Sequence, residues 1–292
     1  MQFGKGACCL LIVVQDLRHN GNMPILNKDM TLCISLAATP SNIGTRFHNY
    51  LYEALGLNFI YKAFAPTDLA QAIAGIRGLG IRGAAVSMPY KEDVIALIDV
   101  MDASAAAIDS VNTIVNSGGV LTAYNTDYLA IARLLESRAI DPASTVLLQG
   151  SGGMAKAVAA ALYDAGFAHV SIVARNEVRG QALAALYGFA WLPEVGDATA
   201  GMLINVTPLG MAGAQESVQS FADAAVRAAQ VVFDVVALPA ETPLIRAARA
   251  AGKQVMTGAE VIAIQAEEQF VLYTGVRPSP ELVQEASEFS RS

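Results

Sequence analysis

Charge is scarce in this chain: Lys, Arg, Asp and Glu together make up only 15% of its 292 residues, against 54% hydrophobic residues. That balance excludes a disordered chain and allows a sizeable buried core, in one large domain or two of ordinary size. The net charge is -7, and no run of Lys and Arg is long enough to form a basic face, which excludes nucleic acid as a partner. Histidine is reduced to His19, His48 and His169, well separated in sequence, and cysteine to Cys8, Cys9 and Cys33, with no Cys-x-x-Cys spacing. Neither a zinc site nor a disulfide framework can be built from such a set, so no metal is expected, and a reducing cytosol fits best. A membrane-length apolar run is also missing. Gly6 to Val14 follows Lys5 as a short apolar stretch, but it is too short to span a bilayer. The Gln15-Asp16-Leu17-Arg18-His19 after it lacks the small-residue cleavage site of a secretory signal.

What is present is an alternation of strand and helix patterns. Met30 to Ser35 reads as a strand, Thr45 to Leu55 as a helix with Phe47, Leu51 and Leu55 on one face, and Phe59 to Phe64 as a second strand. A helix over Asp68 to Leu79, capped by Thr67 or Asp68, leads to a third strand over Gly83 to Met88. Alternation of this kind predicts a parallel α/β sheet. After a helix over Tyr128 to Ser137, the strand Ser144 to Gln149 runs directly into Gly150-Ser151-Gly152-Gly153. A helix from Met154 to Ala165 and a strand from His169 to Ala174 complete a βαβ unit. Further strands are expected at Gly201 to Val206, Val231 to Val236 and Gln254 to Thr257, then a helix from Ala259 to Tyr273, with no internal repeat.

Gly150-Ser151-Gly152-Gly153-Met154-Ala155 departs from Gly-x-Gly-x-x-Gly only in its third glycine, where Ala155 is still small enough for close helix packing. Alone it would equally be an ordinary tight turn. Between a strand and a helix it reads as a dinucleotide site, where bare backbone N–H groups and the helix N-terminus meet a pyrophosphate. The next strand ends in Arg175-Asn176-Glu177-Val178-Arg179. Arg175 and Arg179, with Asn176 between them, suit a 2′-phosphate and favour NADP, while Glu177 keeps NAD open.

Upstream of that turn stand Ser87-Met88-Pro89-Tyr90-Lys91, Ser110-Val111-Asn112-Thr113 and Tyr124-Asn125-Thr126-Asp127; downstream come Asn205-Val206-Thr207-Pro208-Leu209-Gly210-Met211 and Tyr273-Thr274-Gly275-Val276. In order and spacing these blocks resemble the shikimate/quinate dehydrogenase family, whose pattern runs Asn-Val-Thr-x-Pro-x-Lys, Val-Asn-Thr, Asn-Thr-Asp, Gly-x-Gly-Gly. The resemblance extends from about Leu26 to the C-terminus. It implies two α/β domains with a cleft between them: a substrate-binding catalytic domain of residues 26–126 plus 259–292, and a Rossmann-type NADP-binding domain of residues 127–258. Residues 1–25 would be an extension, with Met23 or Met30 as alternative starts, and the chain would cross between domains near Thr126 and Gly258.

By the same resemblance the reaction is a reversible hydride transfer between 3-dehydroshikimate and shikimate, or a related hydroxylated ring acid, in a cytoplasmic monomer or homodimer. Lys91 and Asp127 correspond to the catalytic pair. An ammonium can donate a proton as hydride reaches a carbonyl carbon, and the neutral amine can accept one in the reverse direction. Ser87, Asn112 and Gln265 match residues that bind ring hydroxyls. The cofactor set would comprise Gly150, Ser151, Gly152, Gly153, Met154, Arg175, Asn176 and Arg179, together with Thr207, Val235 and Gly258.

The chain departs from the family at the other end of the pocket. A Ser-x-Ser pair that receives the substrate carboxylate becomes Asn42 and Gly44, an asparagine becomes Ala85, and a tyrosine becomes Ala237. Each lost hydrogen bond to a carboxylate costs about 1 to 3 kcal/mol, so this end of the substrate is expected to be read differently, with Asn42, Thr45 or Arg46 in reach. Bland alternatives exist for several residues: Asp127 as a helix cap, Asn112 and Gln265 as partners of buried backbone, and Arg46 as surface charge. Quinate or another polyol acid is an alternative substrate, and a nucleotide-binding regulatory protein with weak catalysis an alternative function.

Overall fold

The computed structural model describes residues 26–292; the expected extension, with Cys8, Cys9 and the short apolar run, lies outside the described residues. In chain order the elements are β1 (Thr31–Leu36), α1 (Asn42–Ala54), β2 (Phe59–Phe64), α2 (Leu69–Gly78), β3 (Gly83–Val86), β4 (Val100–Met101), α3 (Ala103–Ala106), β5 (Thr113–Ser117), β6 (Val120–Tyr124), α4 (Thr126–Ser137), β7 (Val146–Gln149), α5 (Gly153–Asp164), β8 (Val170–Val173), α6 (Glu177–Tyr187), β9 (Ala190–Leu192), β10 (Met202–Asn205), α7 (Asp223–Ala228), β11 (Val231–Asp234), α8 (Pro243–Ala250), β12 (Gln254–Thr257), α9 (Gly258–Thr274) and α10 (Pro280–Arg291).

The first half of the chain builds a six-stranded sheet in the order β2-β1-β3-β5-β6-β4. Its β2-β1-β3 portion is parallel, as the alternating pattern predicts, but β5 runs antiparallel to both β3 and β6, so the sheet is mixed. The reason is local: Ser117 pairs with Val120 across Gly118 and Gly119, both at positive φ, and this two-residue turn matches the twist of the hairpin it closes. Side chains alternate across the sheet with period two. Cys33 and Tyr61 enter one core with Phe47, Leu51 and Tyr52 of α1 and Phe270 and Tyr273 of α9. Ile34, Leu36, Ala84 and Ile114 enter the other, against Ile73 and Ile76 of α2.

The second sheet is parallel throughout, in the order β12-β11-β10-β7-β8-β9. Numbered from its own first strand this is 6-5-4-1-2-3, the doubly wound order, with the direction of winding reversing between β7 and β10. The carboxyl ends of those two strands are where such a sheet opens a crevice for ligand. Helix α5 sinks beneath it because alanines at 155, 157, 159, 160 and 161 let it bury nearly all round, against Leu148, Ile172 and Ile204.

Helices α4 and α9 join the halves. Both expected crossings fall on the first residue of a helix, Thr126 of α4 and Gly258 of α9, and the two helices pack on one another. Helix α9 starts with a reciprocal cap between Thr257 and Glu260; its Val261 packs in the second core and its Phe270 and Tyr273 in the first. Arg133 of α4 and Arg277 beyond α9 both pair with Glu267, at 2.8 and 2.7 Å, clamping the helices together. Among the described residues no helix is long and apolar enough to cross a membrane.

Candidate active site

Beyond Val86 the chain leaves β3 through a turn that delivers Lys91. The Ser87 N–H donates to the Leu36 carbonyl at 2.9 Å, and the Ser87 carbonyl accepts from the Tyr90 N–H at 3.0 Å. The Lys91 carbonyl accepts from the Val111 N–H at 2.9 Å, which ties the loop to the segment entering β5. From this fixed backbone the Lys91 ammonium donates to Asp127 Oδ2 at 2.8 Å, with both side chains partly shielded. Asp127 does not cap α4. Asn125 does, accepting from the Tyr128 N–H at 3.0 Å while its own Nδ2 donates to the Ser110 carbonyl at 2.9 Å. Asp127 is thereby left, in the first turn, to face Lys91.

Asn112 lies buried beside this pair. Its Oδ1 accepts from the Thr126 N–H at 2.8 Å, the Thr126 hydroxyl at 3.1 Å and the Thr113 hydroxyl at 2.9 Å. Gln265 of α9 donates from Nε2 to the Thr126 hydroxyl at 3.0 Å. The structure thus brings Lys91, Asp127, Asn112 and Gln265 together, and Ser87 lies exposed four residues before Lys91. Three members of this network were not among the residues expected from sequence: Thr113, Thr126 and Gln269. Thr113 closes the Val-Asn-Thr block and Thr126 is the middle of Asn-Thr-Asp, while Gln269 stands one helical turn after Gln265, which was the available signal.

The glycine turn follows β7, at the switch point of the second sheet. Gly150 has φ +132°, and a Cβ there would come within 2.6 Å of Val206 Cγ2, so β7 can pass β10 only as glycine. At Gly152 and Gly153 a Cβ would meet nothing within 4 Å, which leaves the approach to the α5 N-terminus open. No side chain caps that helix, so its first N–H groups are available to an anion. One turn into α5, Lys156 reaches Glu92, the neighbour of Lys91, at 3.7 Å, which puts the glycine turn next to the loop that carries Lys91.

Thr207 is held by Asn205, whose Oδ1 accepts from the Thr207 N–H at 3.1 Å and from its hydroxyl at 2.6 Å. The Asn205 Nδ2 donates to Asp234 Oδ1 at 3.0 Å, and Asp234 Oδ2 accepts from Thr242 at 2.7 Å. Asp234 is buried at the end of β11, and that burial raises its carboxyl above the usual range. The chain that follows packs on α9 so closely that a Cβ on Gly258 would lie 2.2 Å from the Val235 carbonyl oxygen. Thr207, Val235 and Gly258 therefore share the carboxyl end of the second sheet with Gly150 to Met154. Arg175, Asn176 and Arg179 are exposed beyond β8; Asn176 caps α6 by accepting from the Arg179 N–H at 3.0 Å, which occupies its oxygen.

Asn42 opens α1 as its first residue and is exposed. Arg46 is turned away from the cleft: its Nη2 donates to Ser292 Oγ at 3.0 Å and its guanidinium stacks on Phe289 of α10, 4.5 Å from the ring centre. It belongs to the packing of α1 against α10. Cys33 is buried under α1, and burial pushes its thiol up to about 11, as suits an inert core residue. Among the described residues no three His, Cys, Asp or Glu side chains are placed to hold a metal ion.

A doubly wound sheet with a glycine turn at its switch point, beside a Lys-Asp pair on a second α/β unit, defines a two-domain dehydrogenase scaffold. The model of the shikimate dehydrogenase substrate binding domain matches residues 41–114. A shikimate dehydrogenase-like protein of Haemophilus influenzae is 54% identical over 92% of this chain and 99% of its own length. The solved structure of a shikimate 5-dehydrogenase-like protein superposes with a TM-score of 0.91, covering 92% of this chain and 100% of the other. The shikimate 5-dehydrogenase of Thermus thermophilus, solved with NADP(H) and shikimate, is 29% identical, with a TM-score of 0.79 over 89% of this chain and 100% of that one. The chain belongs to the shikimate/quinate dehydrogenase family.

Proposed function

We propose that this chain is an NADP-dependent oxidoreductase of the shikimate dehydrogenase type, acting reversibly on shikimate or a related hydroxylated ring acid. The observation that carries the reading is the 2.8 Å Lys91–Asp127 pair set one residue from the Lys156–Glu92 contact to the nucleotide-turn helix. The residues fit a dinucleotide: Gly152 and Gly153 leave space, the α5 N-terminus carries unsatisfied N–H groups, and Arg175 and Arg179 offer guanidinium groups for a 2′-phosphate. Gly150 to Met154, Arg175, Asn176, Arg179, Thr207, Val235 and Gly258 would hold it. When bound, that cofactor supplies or receives the hydride.

The protein's own groups manage the proton and the orientation. Lys91 donates a proton to the carbonyl oxygen in reduction and recovers it in oxidation, while Asp127 holds the ammonium in place. Asn112 and Gln265 orient the ring hydroxyls next to the reacting carbon, Ser87 flanks them, and Asn42 lies toward the far end. Such positioning keeps the reacting atoms within attack distance. In this division residues 26–126 plus 259–292 carry Lys91 and the substrate groups, and 127–258 the cofactor groups, with Asp127 at the crossing between them. The protein works on small molecules in the cytoplasm as a monomer or homodimer.

The substitutions at Asn42, Gly44, Ala85 and Ala237 favour a second reading within the same chemistry, in which quinate or another polyol acid is the better substrate. Both are tested by following nicotinamide absorbance with NADP and NAD crossed against shikimate, quinate and related hydroxy acids. Lysine-dependent turnover of at least one acid is expected. Intact NADP binding with no turnover of any of them contradicts the reading and favours a regulatory protein.

A further inference from the structure

Gln265 and Gln269 lie one turn apart on α9 and therefore on the same face. Each donates to a different threonine hydroxyl: Gln265 to Thr126 at 3.0 Å and Gln269 to Thr113 at 2.9 Å, with Gln269 also donating to the Asn112 carbonyl at 3.3 Å. Both hydroxyls then converge on Asn112 Oδ1, which also receives the Thr126 backbone N–H.

Backbone groups fix the orientation of two of these side-chain amides. A backbone N–H can only donate, so the Asn112 atom facing it is the oxygen; a backbone carbonyl can only accept, so the Gln269 atom facing it is the nitrogen. Gln269 Nε2 therefore donates to Thr113, whose proton goes to Asn112 Oδ1 at 2.9 Å; Thr126 gives its proton to the same oxygen at 3.1 Å and accepts from Gln265, while the two hydroxyls stand 3.4 Å apart. The order is Gln269 to Thr113 to Asn112 from one side and Gln265 to Thr126 to Asn112 from the other. With three donors on its oxygen, Asn112 has no acceptor capacity left. Its Nδ2 makes no hydrogen bond among the described residues and is not sealed from solvent.

We infer that Gln269 and Thr113 are positioning residues for the reaction: they lock the Asn112 carboxamide so that it serves the cleft as a donor only. This rests on the proposed assignment of the cleft as the hydroxylated-acid site. The lock is built on α9, a helix shared by both halves, and it also pins Thr126, the residue before Asp127. Its direct role, however, is on the amide of Asn112 and leaves the Lys91–Asp127 contact in place.

The test reads the Asn112 side-chain NH₂ by nitrogen-15 relaxation in the full chain without substrate, then steady-state kinetics with shikimate and NADP. In wild type the amide is ordered. In Thr113→Val and Gln269→Leu its order parameter falls below about 0.6, and KM for shikimate rises about tenfold, with KM for NADP and the pH profile of kcat unchanged. Thr113→Ser, which keeps the hydroxyl, restores both readouts, and the effect of Thr113→Val on KM disappears in an Asn112→Ala background. An Asn112 amide equally ordered in wild type and both variants overturns the inference, as does a Thr113→Ser protein as impaired as Thr113→Val. Because the relaxation measurement uses no substrate, failure of the functional reading, seen as turnover that survives Lys91→Ala, is distinguishable from failure of the lock.

Discussion

His48 makes the fold of the first unit sensitive to acid. It is buried on α1, stacked on Tyr61 with ring centres 4.4 Å apart and planes 11° apart, with Phe270 at 6.2 Å. Neither ring nitrogen has a hydrogen-bond partner. Burial lowers its pKa from an ordinary 6.5 to about 3, an effect that the nearby Gln269 only partly offsets. The folded state therefore keeps His48 neutral down to about pH 3, whereas the unfolded chain protonates it below about 6.5. Stability from this residue is full above pH 6.5 and is lost as pH falls from 6.5 toward 3. At pH 5 the unfolded state gains RT ln(1 + 10^1.5), about 2 kcal/mol, or roughly a thirtyfold change in the folding equilibrium.

The perturbation is His48→Phe, which keeps a flat ring against Tyr61 and removes the titration, compared with wild type in urea at pH 7.5 and pH 5.0. The sole tryptophan, Trp191, lies on β9 in the second sheet, so circular dichroism is the better probe of the first. Whatever the variant's stability at pH 7.5, wild type is expected to lose about 2 kcal/mol more than His48→Phe on acidification, because titrations common to both proteins cancel in the difference. Parallel pH dependence, within about 0.5 kcal/mol, would refute the assignment of a neutral, unpartnered His48.

Gly258→Ala drives a methyl to within 2.2 Å of the Val235 carbonyl oxygen, where backbone meets backbone and neither can rotate away. A loss of about 3 kcal/mol in stability is expected, together with weaker NADP binding; unchanged melting temperature and NADP affinity would contradict the close packing. Arg175→Ala is expected to weaken NADP about tenfold while leaving NAD binding within twofold, measured by fluorescence titration of the reduced cofactors. Equal losses for both nucleotides would remove Arg175 from the 2′-phosphate site. Asn205→Ala removes the group that ties Thr207 to Asp234. It should raise KM for NADP several-fold with KM for the acid unchanged, and the reverse split would contradict a cofactor-side role.

Five of the six strands of the second sheet were readable in the sequence as short apolar runs between turn signals, and the glycine turn marks where the first of them ends; the edge strand β9, three residues long and only partly buried, left no such run. The first sheet was only half readable. Thr113 to Tyr124 lies among sequence blocks that draw attention as motifs, and its role as a hairpin shows only once Gly118 and Gly119 are seen at positive φ. Lys91 and Asp127 could be named from the resemblance, but that Asn125 takes the cap and frees Asp127 is decided by a choice between neighbours that no spacing rule makes. Gln269 and His48 were missed for a related reason: their partners lie far away in sequence, on β5 and β2 respectively. A lone buried histidine whose ring nitrogens make no hydrogen bond leaves no pattern at all. The contrary case is Arg46, whose basic charge near the altered pocket invites a binding role, whereas its guanidinium is engaged on Phe289 of α10.

The role proposed for Lys91, held by Asp127, is to move the proton in a hydride-transfer reaction next to the glycine turn. The most direct test is single-turnover reduction of NADP by purified Lys91→Met with shikimate or quinate, whichever wild type oxidises faster, alongside NADP affinity of the same protein. A rate lowered by about a hundredfold or more is expected, with NADP binding within twofold of wild type. A variant that oxidises the acid within about tenfold of the wild-type rate would contradict it.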